Sequence, residues 1–167
     1  QVLLGAQGGA VALPVCDHYS GVEDRMQKSL QLQADMMKEF GRCVFDVTLD
    51  CEDGAAVGDE AAHAKLVVAL LNGAAPGARV AARVHAVDHA AFAQDMAIIA
   101  GEAGDKLCHI MLPKVESVDD VLQAEKLLNR ATDARVPLHI LVESPQAVHR
   151  AFEIASHPSV QSISFGL

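Results

Sequence analysis

Short apolar runs rich in β-branched residues alternate along this chain with amphipathic stretches at helical spacing, and that alternation limits the possible folds more than any other feature. Val11–Cys16 is the first run. From about Val22, the residues Val22, Met26, Leu30, Ala34 and Met37 recur on one helical face until Gly41, a residue suited to a left-handed helix stop. Cys43–Leu49 is the second run, followed by a helix carrying Ala64, Val67, Val68 and Leu71 and an Asn72–Gly73 stop. Arg79–Val84 makes a third strand, and Asp88 reads as the N-cap of a helix that presents Phe92, Met96 and Ile99 and ends at Gly101. His109–Leu112 is the fourth strand, and Ser117 to Asp120 resembles a capping box for a helix reaching about Arg130. Leu138–Val142 is the fifth, with Ser144–Pro145 as cap and first residue of another helix, and Ser162–Phe165 begins a sixth.

The strands start roughly 24 to 36 residues apart, the size of a crossover unit joining parallel neighbours. An open doubly wound sheet and a closed β/α barrel both use that alternation. A doubly wound sheet would carry a Gly-rich phosphate turn after its first strand, but Cys16-Asp-His-Tyr-Ser-Gly21 has neither the GxGxxG nor the P-loop spacing. Polar and charged residues instead gather at the C-terminal ends of the strands, where a barrel builds its active site. The expected fold is therefore α/β, a β/α (TIM-type) barrel. A barrel needs eight units and about 250 residues. The expectation is thus that residues 1–167 form the N-terminal part of one barrel domain, about six of its eight units, with the C-terminal units missing.

Composition narrows the partners. The chain is 51% hydrophobic and 21% charged, the balance of a folded domain, and its net charge of −9 disfavours nucleic acid and anionic membrane. No apolar run approaches the roughly 20 residues of a membrane span, so a cytoplasmic protein is expected. Cys16, Cys43, Cys51 and Cys108 form no CxxC pair and lie in or beside apolar stretches, which points to reduced, mostly buried thiols.

Side chains two apart on a strand share a face, so Asp50 can be read with Glu52, and Arg83 with His85. Lys114 and Glu143 each follow an apolar run that points them to the same mouth. Counting Asp53, the rim holds carboxylates, two cations and an imidazole. Carboxylates suit a hard cation such as Mg²⁺, and an arginine fork suits a substrate carboxylate. A metal chelated by a 2-oxo or 2-hydroxy acid, with an arginine on its carboxylate, is a site for making or breaking the adjacent carbon–carbon bond. His85 and His89 have HxxxH spacing, but a helix starting at Asp88 between them argues against zinc. His63, His109, His139, His149 and His157 have no evident partner in the sequence.

Asp50-Cys-Glu-Asp-Gly54, Arg83-Val-His85, Leu112-Pro-Lys-Val-Glu-Ser117, Leu141-Val-Glu143 and Phe165-Gly166 stand in a telling order. The chain from about Leu13 onward resembles the citrate lyase β-subunit/malyl-CoA lyase group of the HpcH/HpaI aldolase superfamily, whose patterns are DLEDA, RIN, LPK-x-ES, IET and FG-x-x-D. The resemblance implies a carbon–carbon lyase with Mg²⁺ as cofactor and a CoA thioester or 2-oxo acid as substrate. It implies Glu143 as one metal ligand and a second carboxylate beyond Leu167. Arg83 would hold the substrate carboxylate, Asp50, Glu52 and Asp53 would line the metal's outer shell, and Lys114 the pocket wall. His85 stands where the family has Asn and becomes a candidate substrate-binding residue. Ser144-Pro145 replaces the Thr after the Glu, and Cys16-Asp-His-Tyr-Ser replaces Val-Pro-Gly ahead of the first helix, so a divergent acyl partner is expected. A homo-oligomer, trimer or hexamer, is implied as well. A CoA-independent hydroxy-oxo-acid aldolase and a non-catalytic ligand-binding barrel subunit are the alternatives.

Overall fold

The computed structural model describes residues 13–14, 16–55 and 57–166. Six parallel strands run in chain order, β1 (Asp17–Ser20), β2 (Asp46–Asp50), β3 (Val80–Arg83), β4 (Leu107–Leu112), β5 (Leu138–Val142) and β6 (Val160–Phe165). Between them lie α1 (Glu23–Phe40), α2 (Glu60–Gly73), a broken helical segment after β3, α5 (Val118–Ala131) and α6 (Pro145–Ala155). The broken segment comprises α3 (Phe92–Asp95), a π-helical turn (Met96–Ala100) and α4 (Gly101–Ala103). No strand order reverses, so there is no switch point of the doubly wound kind.

The sheet is curled. In a flat sheet with strands about 4.8 Å apart, β1 and β4 would be separated by about 14 Å. Here the Asp17 carboxylate on β1 lies 3.7 Å from His109 Nε2 on β4. A cavity of about 230 Å³ is lined by residues of both β1 and β6. The six strands thus form a half-barrel with the helices outside.

Alternation sorts the strand residues between two faces. Val47, Leu49, Val80, Ala82, Val84, Ile110, Leu112, Leu138 and Ile140 face the helices and belong to one core with Met26, Leu71, Phe92, Met96, Ile99, Leu128 and Ile154. Each such fully buried side chain larger than alanine contributes about 1.5–3 kcal/mol. The inward face is polar at its N-terminal end. Arg79 grips Asp46 through Nε and Nη2 at 2.6 and 2.9 Å, Thr48 donates to Asp17 at 2.7 Å, and His139 lies between Ser162 and Ser164 at 2.6 and 2.8 Å. Burial, with His139 and Arg79 nearby, pushes the His109 pKa down to about 3, so that ring is neutral.

Helix ends follow the expected chemistry in most places. Gly41 closes α1 at φ 68° with its N–H on Met37 O, and Asp120 accepts the Ser117 N–H at 2.9 Å ahead of α5. The Ser144 hydroxyl accepts Ala147 N–H at 3.0 Å with Pro145 in the first turn of α6. Four expectations fail.

The first strand is Asp17–Ser20 and not Val11–Cys16: of that run, Leu13, Pro14 and Cys16 are outside any strand, and residues 11, 12 and 15 lie outside the described residues. The strand's inward residues are Asp17 and Tyr19, so it carries no apolar run. Asp88 does not cap a helix either. Turns with His89 N–H on Ala86 O and Phe92 N–H on His89 O occupy that stretch, and α3 starts at Phe92. Gly101 does not end the segment; a Cβ at Gly104 would lie 2.7 Å from Thr132 Oγ1, and one at Gly101 would lie 3.6 Å from Ala131 O. Gly104 admits the end of α5, whereas a Cβ at Gly101 would make only an ordinary contact there. Of the cysteines, Cys51 is buried, Cys43 and Cys108 are half-buried, and Cys16 is exposed, against the expectation of mostly buried thiols; all four are free.

Candidate active site

Asp50 ends β2 directly opposite Arg83 at the end of β3. Arg83 Nε and Nη2 donate to Asp50 Oδ1 and Oδ2 at 2.7 and 2.6 Å. The Glu52 and Gly54 amides add bonds of 2.9 and 2.7 Å to the same two oxygens, so each oxygen accepts twice. Burial opposes the charge on Asp50, yet the Arg83 bond and the two amides hold its carboxyl below the usual range. Burial likewise works against the Arg83 cation, and Asp50, Glu52 and Asp53 more than reverse that, raising its pKa.

The loop after β2 is folded around this pair. A Cβ at Gly54 would fall 2.4 Å from Asp50 Oδ2, and one at Gly21 would fall 2.2 Å from the Gly54 backbone. Only glycine fits either position. His63 on α2 donates from Nε2 to the Asp50 carbonyl at 2.8 Å, which gives a structural role to a histidine that had none in the sequence.

Lys114 connects this cluster to β5. Its Nζ pairs with Glu52 Oε1 and lies 3.7 Å from Asp53, while its backbone N–H donates to Glu143 Oε2 at 2.6 Å. The Glu52 bond raises the Lys114 pKa against a small effect of burial. Lys114 is the one described non-glycine residue at positive φ, 54°. Such a conformation costs about 1–3 kcal/mol and persists where surroundings impose it, commonly at functional sites. Glu143 stands against Gly166, where a Cβ would meet its Cγ at 2.7 Å and its Oε1 at 3.0 Å. The space that Glu143 occupies depends on that glycine.

Asp50, Glu52, Asp53, Arg83, Lys114 and Glu143 are therefore brought to one rim, and His85 is tied away from them. Its backbone N–H and Nδ1 both engage Asp95 Oδ2, at 3.0 and 2.6 Å, and its ring stacks on His89 at 4.3 Å. His85 is not among the residues lining the cleft of about 320 Å³ beside Asp50 and Arg83. That cleft is lined instead by Tyr19, Gly21, Arg25 and Asp53, among others. Tyr19, whose ring centroid lies 5.7 Å from Arg83 Cζ, and Arg25 escaped the sequence reading. Burial, then Asp17, pushes the Tyr19 hydroxyl up to about 12. Alternation within Asp17-His-Tyr-Ser20 could have placed Tyr19 inward, had that stretch been read as a strand.

The donor set can be tested against Mg²⁺, the ion the resemblance implies. Glu52 Oε2 is buried without a hydrogen-bond partner, and Lys114 engages one oxygen of Glu52 and one of Glu143. Hard oxygens with unused lone pairs fit a cation that takes one or two carboxylates and keeps its waters. Among the described residues, the rim forms no three-ligand cage.

Parallel strands in barrel order with an acidic rim at their C-terminal ends define a TIM-type β/α barrel with an active-site mouth. A family model described as HpcH/HpaI aldolase/citrate lyase matches residues 29–167, and the chain belongs to that family. It is 31% identical over 127 residues to an L-malyl-CoA/beta-methylmalyl-CoA lyase of Cereibacter sphaeroides, which covers 72% of this chain and 40% of that protein. The crystal structure of a citrate lyase from Burkholderia xenovorans LB400 aligns with TM-score 0.82 and 40% identity over 94% of this chain and 49% of that one. Protein CitE of Mycobacterium tuberculosis, solved with magnesium and acetate, aligns with TM-score 0.63 and 25% identity over 93% and 55%. The chain thus spans about half the length of these relatives or less. Among the described residues, no helix is long and apolar enough to cross a membrane.

Proposed function

We propose that the complete protein is a Mg²⁺-dependent carbon–carbon lyase acting on a 3-hydroxyacyl-CoA thioester of the malyl or citryl type. Its barrel would include units beyond those in this chain. The observation that carries this reading is one residue, Lys114, holding two strand-end carboxylates, Glu52 and Glu143, by a single oxygen each. Glu143 would hold the ion, together with the second carboxylate that the resemblance implies beyond Leu167. A bound Mg²⁺ supplies Lewis-acid stabilisation of negative charge on a substrate oxygen. In the cleavage direction the hydroxyl proton leaves, a carbonyl forms, the carbon–carbon bond breaks, and the electron pair passes to the carbon beside the thioester, which then takes up a proton.

The chain's own residues set the electrostatics around that event. Lys114 puts a positive charge at the mouth, and Asp50 locks the Arg83 fork, leaving its Nη1 toward Glu52 at 3.5 Å. With Arg83 so engaged, Arg25 in the same cleft is a second guanidinium for a substrate carboxylate; it makes no ion pair among the described residues. The thioester reading is supported by a groove of about 620 Å³ between α5 and the segment after β3. Phe92 and Leu122 give it an apolar floor, Lys126 and Arg130 give it cations, and His89 links it to His85. An apolar floor with cations suits a long acyl carrier that bears phosphates.

The test is steady-state cleavage of a malyl- and citryl-CoA panel by the complete protein, with and without EDTA. Glu143→Ala is expected to abolish metal-dependent turnover and leave the fold intact, because Glu143 sits at an exposed strand end. Turnover that survives both EDTA and the substitution refutes the metal mechanism.

A further inference from the structure

The N-terminal end of the strands, opposite the rim, carries a second group of ligand-type side chains that the lyase reading does not use. One oxygen of Asp46, the Cys108 sulfur and one His109 ring nitrogen all lie within 4.8 Å of one another. Cys108 Sγ is 3.5 Å from His109 Nδ1, and that nitrogen is 3.8 Å from Asp46 Oδ2. Tetrahedral zinc with bonds of about 2.3 Å to sulfur and about 2.0 Å to nitrogen or oxygen holds its ligand atoms about 3.3–3.6 Å apart. The Cys108–His109 and His109–Asp46 separations lie within about 0.5 Å of that, and the third pair lies within 4.8 Å. The other ring nitrogen, His109 Nε2, is buried with no hydrogen-bond partner and lies 3.7 Å from the Asp17 carboxylate. Asp17 is held in turn by the Thr48 hydroxyl at 2.7 Å. A histidine with one nitrogen toward a thiol and a carboxylate, and the other toward a second, anchored carboxylate, has the arrangement that fixes metal-bound imidazoles.

We propose that Asp46, Cys108 and His109 bind a zinc-class divalent cation at the N-terminal end of the barrel, with Asp17 orienting His109. Sulfur and imidazole donors select zinc over magnesium, so this site and the rim take different ions. Arg79 holds both Asp46 oxygens, at 2.6 and 2.9 Å, yet each oxygen keeps another lone pair for an ion. The charges balance: a thiolate, Asp46 and Asp17 offset a divalent ion and Arg79. Three protein ligands leave a fourth position for water, and Asp17, Asp46, His109 and His139 share the lining of one cavity of about 230 Å³.

The experiment uses the complete protein, stripped with EDTA and titrated with Co²⁺ as a spectroscopic probe and Zn²⁺ as competitor, in excess Mg²⁺. One ion per chain is expected, with a thiolate-to-cobalt charge-transfer band that Zn²⁺ quenches and Mg²⁺ does not. Cys108→Ser is expected to remove the band, Asp17→Asn to keep it while weakening affinity about 10- to 100-fold, and Glu143→Ala to change neither. Zinc is also expected to shield Cys108 in the unmutated protein from alkylation, read by peptide mass spectrometry, which decides the matter even if Cys108→Ser fails to fold. Cobalt bound without the band, a band that survives Cys108→Ser, or Cys108 alkylated equally fast with and without zinc overturns the proposal.

Discussion

Replacing Asp50 by asparagine tests the central pair at the cost of one atom. Each Asp50 oxygen accepts from one Arg83 nitrogen and one backbone amide. Whichever way the asparagine is turned, its NH₂ faces two N–H donors and two hydrogen bonds are lost. The Arg83 guanidinium, 13% exposed, also loses the charge it pairs with directly, keeping only Glu52 at 3.5 Å. Removing one partner of a buried ion pair costs about 3–5 kcal/mol. At about 2–4 °C per kcal/mol for a barrel of this size, Asp50→Asn is expected to lower Tm by about 6–20 °C.

The pH dependence supplies a second reading. The folded pKa of Asp50 lies below its unfolded value, so its contribution is present above the unfolded pKa and fades as pH falls through the folded one. The gap between wild type and variant should therefore be widest near neutrality and shrink toward acid pH. The assay is calorimetry or urea unfolding of the complete protein across that range. A gap under about 1 kcal/mol at neutral pH, below the expected loss, or one that widens on acidification, refutes the claim that Asp50 and Arg83 hold the rim together.

Gly166→Ala should press on Glu143, whose Cγ would lie 2.7 Å from the new methyl, and weaken Mg²⁺ activation about 10-fold or more with little change in Tm; a titration of turnover against Mg²⁺ reads it. Gly21→Ala meets backbone at 2.2 Å and should destabilise the fold by more than about 2 kcal/mol, checked by urea unfolding. Light scattering of the complete protein should give a trimer or hexamer, as the resemblance implies, and a monomer would refute that.

Where the sequence spoke clearly, its local and tertiary signals agreed. β5 and α6 sit as read, because Pro137 and Ser144–Pro145 bracket a strand that is apolar apart from His139 and mostly buried. β1 was misplaced because its inward side chains are polar, so the apolar run that usually marks a strand lies before it. The segment after β3 misled because a good capping residue, Asp88, competes with two tight turns, and because the helical segment runs on through Gly101 to Gly104, which serves packing against α5. At the site, residue types and strand-end positions were readable, but pairings were not. Asp50 and Arg83 were read apart, one lining the metal's outer shell and the other holding a substrate carboxylate, since only the strand register sets them face to face. His85 left the group through Asp95, a buried carboxylate on a helix whose spacing from His85 carries no strand or helix period.

Arg79 with Asp46 and Arg83 with Asp50 are two bidentate pairs between the same strands at the same sequence offset of 33. Together they behave as a two-tooth key. A slip of one residue would turn both guanidiniums to the apolar face at once. A slip of two would set Arg83 beside Thr48 or Glu52 and leave Arg79 without Asp46. Only a slip of four residues, about 13 Å along the strand, restores an arginine–aspartate contact, and then one pair is made and the other charges are stranded. Apolar strands of similar composition can slide with modest loss, whereas these two can settle at one stagger. The alignment of β2 and β3, and with it the placement of the rim, is thus encoded by charge spacing.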